Sequence, residues 1–195
     1  MQELIVDFIT TLDGYGATDA WPGWWGMEGP EYVNWLFEQP ERDYTILIGA
    51  NTYRLQSELQ GQNADQDAFG ELLNKTPKIV FSSTLQGPLS WANTRLISED
   101  AVEAVRRMKQ EEDRPMRTLG SLSLCRSLIK AGLVDRFRVV VFPVINGATG
   151  YDRMYDGYPD VALDMISSRL FDGRLQMLEY VPRVVTVAPL ASSAS

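Results

Sequence analysis

Ile46-Leu47-Ile48-Gly49-Ala50-Asn51-Thr52 and Arg117-Thr118-Leu119-Gly120-Ser121-Leu122 follow one plan. In each, a short apolar run that reads as a strand meets a glycine, and a helical pattern starts after it. Glycine lets a ligand come close to the backbone. The amides and hydroxyls that follow point along the helix axis toward an anion. One helix end contributes only about 0.3–1 kcal/mol electrostatically, so a single junction holds a phosphate weakly. Two junctions on the carboxyl edge of one sheet can hold both ends of a dinucleotide. Taken singly, each glycine reads better as a plain turn residue. No Gly-x-Gly-x-x-Gly follows a strand, so the binding scheme is not the Rossmann one.

The elements around these junctions are legible. Leu4 to Ile9 reads as a buried strand. Thr10 to Gly29, marked by Gly14, Gly16, Gly23, Gly26 and Gly29, reads as a long loop, more often functional than not in a compact domain. Pro30 suits the first helical position, and that helix runs to Glu38. Tyr44 to Ile48 is a strand, a helix starts near Asn51, and Asp65 to Leu73 is a helix with Asp65 as its cap. Lys78 to Phe81, Thr94 to Ile97, Arg117 to Leu119 and Phe137 to Phe142 read as strands. Ser98 is expected to cap a helix carrying Glu99 and Asp100 in its first turn, and Gly132 closes a helix over Ser121 to Ala131. Ala162 to Phe171 and Arg174 to Val181 flank Asp172-Gly173, a hairpin signal. Strands alternating with helices predict a mostly parallel sheet between helical layers, and the hairpin an antiparallel edge. With no internal repeat or linker, residues 1–187 read as one domain and 188–195 as a frayed, disordered tail.

The composition excludes several chemistries. The chain has 195 residues, 45% hydrophobic and 23% charged, enough for a substantial core. It contains no His and one Cys. A His-dependent nucleophile system is excluded, and so is a zinc site of His and Cys ligands. Cys125 lies in an amphipathic helical pattern and reads as a small core residue. The net charge of −8 and a single basic cluster at Arg106, Arg107 and Lys109, hemmed by Glu103, Glu111, Glu112 and Asp113, argue against nucleic acid. The apolar stretch Val139 to Ile145 is broken by Pro143 and too short to cross a bilayer, and Met1-Gln2-Glu3 lacks the basic start of a secretion signal. A cytoplasmic location is expected, with no membrane partner.

Trp21, Trp24, Trp25 and Trp35 gather around the long loop. Their rings suit stacking on a flat heterocycle, and suit equally an aromatic mini-core that anchors the loop. Glu28 and Glu31 stand beside them. A carboxyl desolvated by indole rises in pKa and can donate a proton to a ring nitrogen. Glu31 falls in a helix first turn, where the ionised form is favoured, which supports a capping role. Glu28 is the freer candidate for an acid.

Four segments in this order resemble the dihydrofolate reductase-like superfamily, and within it the reductase half of the riboflavin-biosynthesis deaminase-reductase, the RibD C-terminal domain family. They are Phe8-Ile9-Thr10-Thr11-Leu12-Asp13-Gly14, Ile48-Gly49-Ala50-Asn51-Thr52-Tyr53, Lys78-Ile79-Val80-Phe81-Ser82-Ser83, and Leu119-Gly120-Ser121 with Leu128 to Asp135, extended by Phe142 to Gly147. The resemblance implies a three-layer α/β/α fold, NADPH as cofactor and a homodimer. It implies that Gly49, Asn51 and Thr52 meet the diphosphate and its ribose, that Ser82 and Ser83 lie near the 2′-phosphate, that Gly120, Ser121 and Leu122 cradle the diphosphate from the other side, and that Thr11, Asp13 and Gly14 border the nicotinamide. Trp25, Tyr32 and Trp35 are the expected substrate contacts. Ala50 stands where the family often carries a phosphate-binding Arg, with Arg54 one turn on as its substitute, which leaves NADH open as cofactor. Ser121 replaces the second Gly of the usual pair. Dihydrofolate reductases place a carboxylate two residues after a Pro in this region. Tyr32 occupies that place if Pro30 is the Pro, which argues against dihydrofolate. The expected activity is reduction of a pyrimidine- or pterin-like heterocycle, resembling the phosphoribosylaminouracil reductase of riboflavin biosynthesis. The alternatives are a non-catalytic dinucleotide- or metabolite-binding protein, dihydrofolate reduction, and a carboxylate-only metal hydrolase, for which no ligand spacing is present.

Overall fold

The computed structural model describes residues 1–19, 23, 25–63 and 68–186, with the backbone alone for 60–63. Trp21, Trp24, Asp65 and the tail from Ala188 lie outside the described residues. Along the chain come β1 (Leu4–Thr11), β2 (Tyr15–Thr18), α1 (Pro30–Glu38), β3 (Thr45–Gly49), α2 (Ala50–Asn63), α3 (Ala68–Lys75), β4 (Lys78–Phe81) and β5 (Thr94–Ile97). They are followed by α4 (Ala101–Glu111), β6 (Met116–Thr118), α5 (Leu122–Lys130), β7 (Arg136–Phe142), β8 (Gly150–Arg153), β9 (Val161–Phe171) and β10 (Leu175–Val184).

Eight strands form one sheet in the order β5-β4-β3-β6-β1-β7-β10-β9. The run from β5 to β7 is parallel, and β10 and β9 close it antiparallel. Side-chain alternation builds the two helical layers. Leu4, Val6 and Phe8 of β1 and Leu47 of β3 join one core with Val105 of α4 and Leu128 of α5. Ile46 and Ile48 of β3 face the other way, onto Tyr53 of α2 and Leu73 of α3. Val140 and Phe142 of β7 likewise face Tyr32 and Trp35 of α1. Burial on both faces explains why the inner strands read as continuous apolar runs rather than as alternation.

One patch of the α1 face is ionic. Arg138, 2% exposed, donates to Glu179 at 2.8 Å, to Gln39 at 2.8 Å and to Asp7 at 3.3 Å. It also pairs with Glu41 at 2.8 Å and lies over the Trp35 ring. Arg136 adds a 2.5 Å hydrogen bond to Glu179. Buried charges persist only when paired and hydrogen-bonded this fully.

The structure departs from the sequence reading at several points. The stretch 10–29 is not all loop: β2 lies within it and pairs antiparallel with β8 in a second, two-stranded sheet. Four residues pairing with a segment far along the chain leave too short a pattern to read. Asp100, not Ser98, caps α4, accepting from the amides of Val102 and Glu103. The helix after Gly120 starts at Leu122, one residue later than expected. The strand Phe137 to Phe142, which with the closing hairpin reads from sequence as able to pair two subunits, lies between β1 and β10, so its edges are already paired and it cannot join them. The hairpin is as expected, with Asp172 and Gly173 both at positive φ, 50° and 65°.

Candidate functional site

β3 and β6 are adjacent and parallel, so the glycines that end them emerge on the same edge. Gly49 N–H donates to Ser121 Oγ at 2.8 Å, and that hydroxyl donates to Thr52 Oγ1 at 2.7 Å. One side chain thus ties the two junctions together. Gly120 (φ 60°) and Ser121 (φ 68°) are consecutive left-handed residues that turn the chain from β6 into α5. A serine there carries a cost of roughly 1–2 kcal/mol that glycine avoids. Its hydroxyl is directed at Gly49 and Thr52, and α5 has no side-chain cap over its first amides. Cys125, one turn into α5, is buried, and burial pushes its thiol up to about 12, which makes it inert.

Between the junctions lies a cleft of about 1080 Å³. Gly49, Ala50, Asn51 and Thr52 form one wall, and Ser121 to Leu124 with Arg126 another. Ser82 and Ser83, from the end of β4, and Ser98 to Ala101, between β5 and α4, line it further on. Asp152 to Met154 and Asp156 complete the lining. The expected residues Gly49, Asn51, Thr52, Ser82, Ser83, Ser121 and Leu122 therefore share one cleft, with Gly120 at its rim beside Thr52. A diphosphate suits the α5 junction, where no side chain caps the first amides of the helix. Arg54, the expected substitute for a cation at position 50, is exposed and donates to Asn51 Oδ1 at 3.1 Å. The sequence reading missed the 98–101 and 152–156 segments. The first is a third strand-to-helix junction without a glycine to mark it, and the second follows the unforeseen β8.

Thr11, Asp13 and Gly14 stand outside this lining, at the end of β1. Thr11 Oγ1 donates to Asp13 at 2.6 Å, and the Asp13 carboxylate accepts from the amides of Asn146 at 3.1 Å and Gly147 at 2.9 Å. The Thr11 hydrogen bond, with those from Gly147 and Asn146, holds the Asp13 carboxyl below its ordinary value. This arrangement pins the turn after β1 to the segment after β7.

At α1 the two acids separate. Glu31 is exposed, and its carboxylate accepts the Asp172 N–H at 2.6 Å. Asp172 in turn accepts from the amides of Glu31 and Tyr32, at 3.0 and 3.2 Å. Glu31 is thus half of a reciprocal helix cap. Glu28 is half-buried, and among the described residues its buried Oε2 has no hydrogen-bond partner, nor has Trp25 Nε1. Tyr32 and Trp35 are buried against Phe142 and Phe171, the mini-core arrangement. Trp25 is half-buried and packs on Phe142 at 5.3 Å. Among the described residues, no group of three or more acids or Cys is placed to hold a metal ion, and no helix is long and apolar enough to cross a membrane.

The model of the RibD C-terminal domain matches residues 2–177. An uncharacterized Bacillus subtilis (strain 168) protein, YyaP, is 27% identical over 191 residues, 92% of this chain and 94% of that protein. Among solved structures, a Shewanella sp. PV-4 protein assigned to riboflavin biosynthesis superposes with a TM-score of 0.74 at 19% identity, covering 93% of this chain and 99% of that one. A dihydrofolate reductase from Enterococcus faecalis gives 0.59 at 12% identity, covering 92% and 96%. The fold is dihydrofolate reductase-like, as expected.

Proposed function

Because the chain belongs to the RibD C-terminal domain family, we propose that it is a reductase. It binds a reduced nicotinamide dinucleotide along the cleft and reduces a small pyrimidine- or pterin-like compound beside β1. One observation carries the reading: the Ser121 hydroxyl bridges Gly49 and Thr52, so two strand-to-helix junctions open on one cleft at the distance of a single side chain. The bound dinucleotide supplies a hydride, and the protein's task is positioning and proton supply.

Gly49, Asn51 and Thr52 hold the diphosphate from one side and Gly120, Ser121 and Leu122 from the other. The first amides of α5 carry part of its charge. Thr11, Asp13 and Gly14 shape the edge at which the nicotinamide lies. Glu28 is the proton donor in this reading, since it carries a buried oxygen with no partner among the described residues while Glu31 is engaged in the cap. Trp25 offers its indole to the substrate. The protein works as a homodimer paired through β9, one of the two edge strands of the sheet, with Met165, Ile166 and Leu170 exposed along it. Light scattering at the monomer mass overturns that assembly.

The test is titration of the full chain with NADH and NADPH, followed by tryptophan quenching and melting temperature. Saturable quenching and a raised melting temperature are expected with at least one of them, and no response to either overturns the reading. With a substrate panel, loss of the nicotinamide absorbance is expected. Glu28→Gln lowers kcat at least about a hundredfold, the low end for loss of a general acid, while Glu31→Gln leaves kcat unchanged. Binding without turnover across the panel favours the non-catalytic alternative.

A further inference from the structure

Resting on the dinucleotide reading, we infer that this cleft is built for NADH rather than NADPH, with Glu99 as the residue that turns away a 2′-phosphate. With the diphosphate between β3 and β6 and the nicotinamide toward β1, the adenosine ribose falls on the other side, at the ends of β4 and β5. The lining there is Ser82, Ser83, Ser98, Glu99 and Asp100, with no Lys or Arg among them.

The helix terminus and the cation that could attract a phosphate at this end are each already occupied by a carboxylate. The N-terminus of α4 opens here, and Asp100 Oδ1 accepts its Val102 and Glu103 amides at 2.9 and 3.0 Å. Arg107 projects from the next turn of α4. Its two terminal nitrogens both donate to Glu99, one of them at 3.3 Å, and its Nε lies 3.9 Å from Glu111. Ala50 brings no charge, and Arg54 is turned to Asn51. The cations that do line the cleft, Arg126 and Arg153, belong to the α5 and β8 side. Arg126 holds the Asp156 carbonyl and Arg153 lies 3.8 Å from the Asp156 carboxylate. A 2′-phosphate carries close to two negative charges and would have to displace a carboxylate to reach a cation or the α4 amides, with serine hydroxyls as its neutral donors. A ribose diol has the opposite need, since its hydroxyls donate to a carboxylate. The same Glu99 that repels the phosphate therefore accepts from the diol, and the repulsive element supplies the specificity.

Dissociation constants for NADH and NADPH, measured on the full chain by tryptophan quenching and calorimetry at one ionic strength, test this. ADP-ribose and its 2′-phosphate serve as probes free of the nicotinamide. The wild type is expected to bind NADH about tenfold more tightly than NADPH, the ratio that one unbalanced like charge near a surface produces. Glu99→Ala releases Arg107, tightens NADPH and reverses or erases that ratio. Glu99→Ala with Arg107→Ala loses the gain for NADPH. A wild type that prefers NADPH or binds both equally overturns the inference and leaves the dinucleotide reading intact, and so does an unchanged ratio in a folded Glu99→Ala protein, checked by its melting curve. Failure of all four probes to bind overturns the dinucleotide reading, and the inference with it.

Discussion

At the scale of single residues, Ser121 shows how a local penalty serves a long-range purpose. Its backbone sits at φ 68°, where glycine is favoured, yet its hydroxyl accepts the Gly49 amide and donates to Thr52. Ser121→Ala keeps the strained backbone and leaves that amide without its partner. It is expected to lower stability by about 1–2 kcal/mol and to weaken dinucleotide binding, both read by urea denaturation and quenching. Ser121→Gly relieves the backbone and is expected to recover about 1 kcal/mol of that loss. Equal stability of wild type and Ser121→Ala rules out the tie. Gly49 and Gly120 were legible from sequence, because a glycine after an apolar run is a local signal. The use of the Ser121 hydroxyl was not, since its partners lie 72 and 69 positions away. Glu28 and Glu31 could be ranked from helix position, but only the Asp172 contact separates them.

At the scale of elements, α1 begins at Gly29-Pro30 with no cap of its own, and the hairpin turn between β9 and β10 supplies one. Asp172 does two jobs: it turns the hairpin at φ 50° and covers the first amides of α1. The fit is close, since a Cβ at Gly29 would meet the Asp172 carboxyl at 2.2 Å. Asp172→Ala is expected to cost about 1–2 kcal/mol, the upper range for a lost cap, and Asp172→Asn, which keeps an oxygen acceptor and tolerates the left-handed region, about half of that. Chemical denaturation measures both, and an Asp172→Ala protein as stable as the wild type contradicts the cap. The bounds of α1, β4 and β5 were readable because proline, period and β-branched runs act locally. β2 and β8 were not, because each is a four-residue strand whose pairing partner lies far along the chain.

At the scale of the molecule, the ionic patch under α1 couples stability to acid. Burial alone raises the Glu179 carboxyl, but hydrogen bonds from Ser167, Arg138 and Arg136 outweigh burial and hold it at about 2, against an ordinary value of 4.5. Its stabilisation is fully present above the ordinary value and is lost as pH falls toward 2. Asp7 in the same patch runs the other way: burial raises its carboxyl more than Arg138 and Arg117 lower it, so it disfavours the native state as pH rises through the carboxyl range. Glu179→Gln is therefore expected to be less stable at neutral pH by about 3–5 kcal/mol, the cost of breaking a buried pair. Its urea midpoint should fall less steeply between about pH 5 and pH 2. Parallel slopes for the two proteins refute the coupling. From the sequence alone came the alternation of strands and helices, the closing hairpin, the exclusion of His chemistry and the two glycine junctions, all features carried by neighbours along the chain. Only the tertiary structure decided that Ser121 meets Gly49, that Asp172 meets Glu31, and that carboxylates occupy Arg107 and the start of α4 at the cleft's far end. The physical reason is that the two long-range meetings depend on which strands become neighbours, the carboxylate contacts depend on where each side chain finally points, and no local periodicity encodes either.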